Sequence, residues 1–257
     1  MISEPAVRPA DMHQYLVSID QGVWGAKMLA ELFPDGARDH TQDAQLLTEF
    51  MGRICYRSWS VSANRNLTRI RHDRDDYLLN IIRSGHGNVL ECANFSFVIS
   101  DLTRVCAAEL ARHRAGVSIS EMSLRYVRLD DLRFRLPPGI TDNNRRRMVK
   151  LIEATERTMT AMIADEELDD KDFNHKKTIT SALRRVAPLG LCTQVGLTAN
   201  VRALRHMISM RTDVHAEEEI RVVFQQIARL MKTRCPALFG DMEEDESGAF
   251  KTDNWKV

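Results

Sequence analysis

The chain has 257 residues, enough for one large domain, and its 44% hydrophobic and 28% charged content is that of an ordinary water-soluble globular protein. Lys+Arg and Asp+Glu balance at 36 each, which argues against an extended nucleic-acid footprint, because tracking phosphates needs a cationic surplus. Five cysteines (Cys55, Cys92, Cys106, Cys192, Cys235) without CxxC or finger spacing, no basic-plus-apolar leader and no apolar run of membrane length predict reduced thiols in a cytoplasmic protein with no membrane partner.

The first 40 residues are weakly patterned, with Pro5, Pro9 and a turn at Phe33-Pro34-Asp35-Gly36. Thr41–Met51 reads as a helix capped by Thr41, with Ala44, Leu47 and Phe50/Met51 on one side. Asp73–Arg83 is a second helix whose apolar face is Tyr77, Leu78, Ile81 and Ile82, ended by Gly85-His86-Gly87. Cys92–Ile99 alternates and predicts a half-buried strand. Ser100 and Asp101 are expected to cap a helix striped by Leu102, Val105, Cys106 and Leu110, running into Arg112-His113-Arg114. Leu132–Leu136 alternates again before Pro137-Pro138-Gly139. Asn144–Ile163 reads as helix and Asp165–Asp172 as an exposed linker. Further helices are expected from Thr178 to Val186, from Asn200 to Met210, and from His215 to Lys232 with Val223, Ile227, Leu230 and Met231 inward. Met207, Met210 and Met231 read as packing, and Trp24 and Trp59 as core or rim. Many helices and few, separated strands imply an α+β fold. We expect one domain over residues 1–257, with a flexible N-terminus (about 1–12) and a flexible acidic tail (about 241–257).

Three segments carry chemistry. In Arg112–Tyr126 a helix ends in Arg112-His113-Arg114, and a hydroxyl-rich loop with Glu121, Ser123 and Arg125 follows. Guanidinium groups grip phosphates bidentately, and a loop adds hydroxyl and amide donors, so the segment suits an anionic nucleotide. A surface arginine cluster neutralised by Glu109 and Glu121 reads equally well from physics alone. The second segment is Arg184–Gly190. In the third, Asn200–Glu217, helical spacing lets Asn200, Arg202 and His206 approach one side of a ligand, with Arg211, Asp213 and His215 in the connection that follows. By itself this also reads as a capped helix-loop-helix with surface ion pairs.

Taken together, the motifs Gly85-His86, Arg112-His113-Arg114, Ser123-x-Arg125-Tyr126, Arg184…Ala187-Pro188-Leu189, Asn200-x-Arg202, Met210-Arg211-x-Asp213-x-His215-Ala216 and Cys235-Pro236 resemble, in order and spacing over about residues 41–239, the flavin-dependent thymidylate synthase family. The resemblance implies that family's helix-rich fold with a small antiparallel sheet. It implies FAD contacts from Cys55, His86, Asn88, Glu91, Arg112, His113, Arg114, Asn200, Arg202, His206 and His215. Glu121, Met122, Ser123, Leu124 and Arg125 match the nucleotide-phosphate loop, with Arg112 near the nucleotide. Arg184 and Arg211 match arginines at the pyrimidine, Arg211 as the catalytic cation. NADPH and methylenetetrahydrofolate follow as co-substrates, and a homotetramer with shared active sites as the assembly. No metal is expected, since the eight histidines show no HExxH or paired-ligand spacing.

The chain departs from the family at Glu109, where Gln is common, at His206, where Asn is common, and in the loop. There eight residues, Ala115–Met122, separate Arg114 from Ser123, one more than usual. That insertion resembles the branch in polyoxin-type nucleoside antibiotic biosynthesis that methylates UMP or dUMP. The sequence thus predicts C5 methylation of UMP, dUMP or both, with housekeeping dTMP synthesis as the alternative. A non-catalytic nucleotide- or RNA-binding protein stays open as a further alternative, and so does a family-like protein without flavin.

Overall fold

The computed structural model describes residues 6–9, 41–58, 64–127 and 133–257. Trp24, Trp59, the turn at 33–36 and the expected N-terminal flexibility lie outside the described residues, as do the side chains of 6–9 and 41–43. Four strands form a sheet in the order β1 (Ala6–Pro9), β2 (Asn94–Thr103), β4 (Cys192–Asn200), β3 (Val117–Glu121). A hairpin, β5 (Glu243–Glu244) with β6 (Phe250–Lys251), forms a second, antiparallel sheet. The helices are α1 (Thr41–Tyr56), α2 (Arg74–Arg83), α3 (Arg104–Leu110), α4 (Asp142–Asp165), α5 (Phe173–Leu183), α6 (Val201–Arg211), α7 (Glu218–Arg234) and α8 (Pro236–Phe239), with short 3₁₀ turns between some of them. This is the helix-rich α+β architecture with a small antiparallel sheet, and no helix among the described residues is long and apolar enough to cross a membrane.

Two compact units divide the chain. The first holds Met1–Ala6, Ile99–Arg112 and Ile119–Val195, and the second Val7–Val98, His113–Ser118 and Gly196–Val257. In the first unit Leu124, Met159, Ile163, Leu168 and Leu191 form a core against which Phe134, Ile179, Leu183 and Ala187 pack. In the second, α2 packs on α1 and α8, and α6 on α7. Leu78, Ile82, Leu90, Phe97, Leu204, Phe224 and Phe239 are fully buried there, each worth roughly 1.5–3 kcal/mol on transfer from water.

The helix face of Tyr77, Leu78, Ile81 and Ile82 is buried as expected. Asp73 caps it, and Gly85, at φ 70°, ends it in the left-handed conformation that glycine takes without strain. Elsewhere the expectations shift. The strand that starts near Cys92 runs on to Thr103, because the proposed cap residues are engaged otherwise. Ser100 Oγ accepts from Gln194 Nε2 (3.0 Å), and the Asp101 carboxylate pairs with Arg133 (3.1 Å). Asp101 sits at φ 60° within the strand, and Thr103, in extended conformation, caps α3 by accepting from Cys106 N–H. Val105 on α3 is exposed rather than on the apolar stripe.

The stretch 133–136 makes only an isolated bridge, Phe134 with Leu191. The expected linker 165–172 holds the end of α4 and a 3₁₀ turn that buries Leu168. Asp172 then accepts from Asn174 and His175 N–H, so α5 begins five residues before the expected Thr178. Leu230 is half-buried, while Val223, Ile227 and Met231 face inward. Met207 is buried and Met210 exposed. Cys106, Cys192 and Cys235 are buried thiols, and Cys55 and Cys92 are exposed.

The closing segment is folded, not a loose tail. Arg205, whose side chain has no exposure, pairs with Asp241 at 2.6 and 2.7 Å and donates to Leu238 O. Asp241 also accepts from Thr252 Oγ1 (2.6 Å) and Asn254 Nδ2 (2.8 Å). Burial pushes the Asp241 carboxyl up, but Arg205 and these two donors outweigh it and hold the pKa at about 2. Phe250 and Val257 are buried.

Candidate functional site

The second unit brings together most of the residues expected at a flavin. Helix α1 ends beside the Gly85-His86 turn, where Cys55 Sγ lies 3.9 Å from His86 Nε2 and Tyr56 meets the imidazole edge-on at 5.4 Å. His86 Nδ1 is buried with no hydrogen-bond partner among the described residues. The 3₁₀ turn Gly87–Glu91 then carries Asn88, exposed, and Glu91, which pairs with Arg202 of α6 at 2.7 Å. Arg202 lies so close to Gly87 that a Cβ there would stand 2.8 Å from Nε. His206, one turn on, is exposed.

Asn200 stands between β4 and α6 and serves both. Its backbone N–H donates to Gly116 O (2.9 Å), and its Oδ1 accepts from Ala203 N–H (2.8 Å) as the helix cap. Gly116, at φ 70°, would put a Cβ only 2.3 Å from Asn200 Nδ2. That glycine is therefore required both by its dihedral and by the close approach.

His113 follows directly on the first unit's Arg112 and reaches the end of α6, where Arg211 Nε donates to His113 Nε2 at 2.8 Å. The accepting nitrogen carries no proton, so the neutral ring is protonated on Nδ1. Burial, then the charges of Arg211 and His206, push the His113 pKa below its ordinary value. Arg114 and His215 are exposed, the latter with its N–H on Asp213 Oδ1.

The first unit holds Arg112 and, apart from Arg211, all the residues expected at the nucleotide. Arg104, the first residue of α3, grips the loop from the side: Nη1 pairs with Glu121 (2.8 Å) and Nη2 donates to Met122 O and Thr193 Oγ1. Burial pushes the Arg104 pKa down; Glu121 pulls it up, and Arg184 lowers it further, which puts Arg184 within electrostatic reach of this grip. Ser123 Oγ accepts from the Arg125 amide, and Arg125 Nε donates to Ser181 Oγ (3.3 Å). Leu124, by contrast, is core: its side chain is 4% exposed within the first unit's apolar cluster, leaving only its backbone for a ligand.

Arg125 lines a cleft of about 470 Å³ together with Lys177, Ser181 and Arg185. Tyr126 stacks on Phe173 beside it, and Lys177 lies over the Tyr126 ring. Arg185 lies in the second segment singled out by sequence, Arg184–Gly190, beside the expected Arg184. Arg104 and Lys177 were absent from the sequence-based site, and nothing in their local sequence marks them, since α5 brings Lys177 alongside through tertiary packing and Arg104 acts across to β4.

Comparison with known proteins bears on these motifs. Residues 38–237 match the family described as thymidylate synthase complementing protein. The chain is 37% identical over 203 residues to the flavin-dependent thymidylate synthase of Mycobacterium tuberculosis (strain ATCC 25618 / H37Rv), covering 77% of this chain and 79% of the relative. It is 36% identical over 203 residues, with the same coverage, to that of Mycobacterium avium (strain 104). To that of Mycobacterium marinum (strain ATCC BAA-535 / M) it is 37% identical over 205 residues, covering 77% and 80%. With the motifs found in the folded chain and a match over most of its length, this protein is an enzyme of the flavin-dependent thymidylate synthase family.

Proposed function

We propose that the protein methylates C5 of the uracil ring of dUMP, UMP or both, with methylenetetrahydrofolate as carbon source and reduced FAD, recharged by NADPH, as hydride source. The observation that carries the reading is the 2.8 Å hydrogen bond from Arg211 to His113, which ties the pyrimidine-side arginine to the Arg112-His113-Arg114 motif. Attack by C5 needs negative charge to develop on the ring and its oxygens. A cation held in advance at the ring edge stabilises that charge without reorganising during the reaction. His113, kept neutral by burial and by its charged neighbours, accepts from Arg211 and fixes its direction without repelling it.

A flavin fits the residues present. The unpartnered, buried His86 Nδ1 supports a ligand there, and Arg202, His206 and His113 offer cationic or donor groups for a dinucleotide. Cys55, His86, Asn88, Glu91, Arg112, His113, Arg114, Asn200, Arg202, His206 and His215 would hold it. When bound, FAD supplies the hydride that completes the methyl group. Glu121, Met122, Ser123, Arg125 and the backbone at Leu124 would hold the nucleotide phosphate, with Arg112 and Arg184 beside the nucleotide. The cationic cleft of Arg125, Lys177 and Arg185 supports a phosphate there. The role of these side chains is to orient the pyrimidine and exclude water. We take residues 1–257 as one catalytic domain in a cytoplasmic homotetramer with shared sites. Family membership sets aside the reading as a non-catalytic nucleotide- or RNA-binding protein.

The relatives' names speak for thymidylate synthesis. The extra residue between Arg114 and Ser123 supports a second reading, in which the loop admits the ribose 2′-hydroxyl, as in the nucleoside-antibiotic branch. Tritium release from C5-labelled dUMP and UMP, with FAD and both co-substrates supplied, tests both. We expect release from dUMP, and Arg211→Ala should lower the rate by roughly 10²–10³-fold. Release from UMP at a comparable rate supports the second reading; no release from either nucleotide overturns the proposal.

A further inference from the structure

The family match ends at residue 237, yet the chain beyond it builds one wall of a cleft of about 390 Å³ whose opposite wall is α6. Arg202 and His206 face the cleft from α6, and Lys251, Trp255 and Lys256 from the closing segment. Trp255 is 77% exposed, the most exposed large apolar side chain among the described residues. An indole exposed beside a polar cleft offers a face on which a flat ring can stack. Lys256 Nζ lies 5.6 Å from the Trp255 ring centroid, and its stem comes within 3.4 Å of where a Cβ on Gly85 would sit. The closing segment thus abuts the Gly85-His86 turn as well as α6. Lys251 pairs with Asp245 at 2.7 Å.

This wall is built rather than draped. The buried Arg205–Asp241 pair holds Thr252 and Asn254, and Val257 O lies 3.5 Å from Arg205 Nε. Trp255 is therefore flanked on both sides by anchored residues, so its backbone is fixed while its ring stays in solvent. A fixed aromatic face with Lys256 beside it and Arg202 and Lys251 in the same cleft suits a ligand that is flat at one end and carries a diphosphate next to it.

We propose that Trp255, with Lys251 and Lys256, binds the adenosine diphosphate half of FAD, the base stacking on the indole and the diphosphate meeting the lysines and Arg202. This rests on the flavin reading of Arg202 and His206 given above, and adds to it a binding element outside the region shared with the family. The ligand's flavin half would then extend along α6 toward His113, whose pKa already registers the charge of His206.

The full-length protein, freed of bound flavin, is titrated with FAD, FMN and ADP, each followed by calorimetry. Trp255→Ala should weaken FAD and ADP about tenfold, the loss expected for one base stack, and leave FMN unchanged. Trp255→Phe should restore most of the affinity, and Lys256→Ala should weaken ADP and FAD while sparing FMN. Unaltered FAD and ADP affinities in Trp255→Ala overturn the inference while the flavin reading stands. Equal weakening of FMN and FAD overturns it too, because the indole would then serve the isoalloxazine. Failure of the unmodified protein to bind FAD or FMN overturns the flavin reading itself, and this inference with it.

Discussion

At the scale of single residues, the contact between Arg211 and His113 sets a pH dependence whose sign follows from its chemistry. Burial first, and the charges of Arg211 and His206 next, hold the folded His113 below its ordinary 6.5. In the unfolded chain the imidazole takes up a proton near that value. Below pH 6.5 the unfolded state therefore binds a proton that folded His113 refuses, and acid favours unfolding; above it this contribution is fully present. Protonation of Nε2 also removes the lone pair that accepts from Arg211 and sets two cations side by side. We expect the His113 ring, followed by NMR, to titrate below 6.5, with turnover falling on the acid side of that value. Arg211→Gln should raise the titration partway while leaving it below 6.5, because burial is the larger cause. A wild-type titration at or above 6.5 would mean that Arg211 is not held by a neutral acceptor.

At the scale of elements, Asn200 shows how one side chain can look like a ligand contact and be a structural joint. It caps α6 and packs against Gly116. Asn200→Ala should cost about 1 kcal/mol, the usual loss for a cap, whereas Asn200→Asp keeps the accepting oxygen and should keep the stability. If Asn200 also meets the flavin through Nδ2, Asn200→Asp will weaken flavin binding at unchanged melting temperature. Unchanged binding in that variant would leave it only the structural role. The same joint marks what could be read from sequence. The α2 face was legible because its four apolar residues repeat at helical spacing over a run bounded by Asp73 and Gly85. Strand β4 carries a strand signature too, Val195, Leu197 and Ala199 alternating with Gln194, Gly196 and Thr198, but Gly196 and Ala199 are weak strand formers and mask it. The cap of α3 was misplaced because Ser100 and Asp101 have cap chemistry but distant partners, Gln194 and Arg133, claim them. The motif residues were legible through family resemblance, whereas Arg104 and Lys177 enter through packing that no local pattern encodes.

At the scale of the molecule, the surface of α1 bears on the proposed assembly. Leu46, Phe50 and Ile54, on successive turns, are 51%, 45% and 49% exposed, with Leu47 beside them. Three large apolar side chains aligned along one exposed face are what an interface leaves on a protomer. Each is already about half-covered, so full cover gains roughly 1 kcal/mol apiece; replacing two of them by carboxylates, which resist burial, should be enough to shift an association equilibrium by orders of magnitude. Because the face runs toward Cys55, and so toward His86, a second copy covering it would come close to residues proposed to hold the flavin. Shared active sites would follow from that geometry. In sedimentation analysis we expect the wild type well above its 29.4 kDa chain mass, at the mass of a tetramer. The double substitution Leu46→Asp, Ile54→Asp should shift it to smaller species and weaken flavin binding in parallel, with the circular dichroism spectrum unchanged. Smaller species that still bind flavin at full affinity would show the sites to be complete within one protomer. A wild-type monomer that is fully active would remove the assembly from the mechanism altogether.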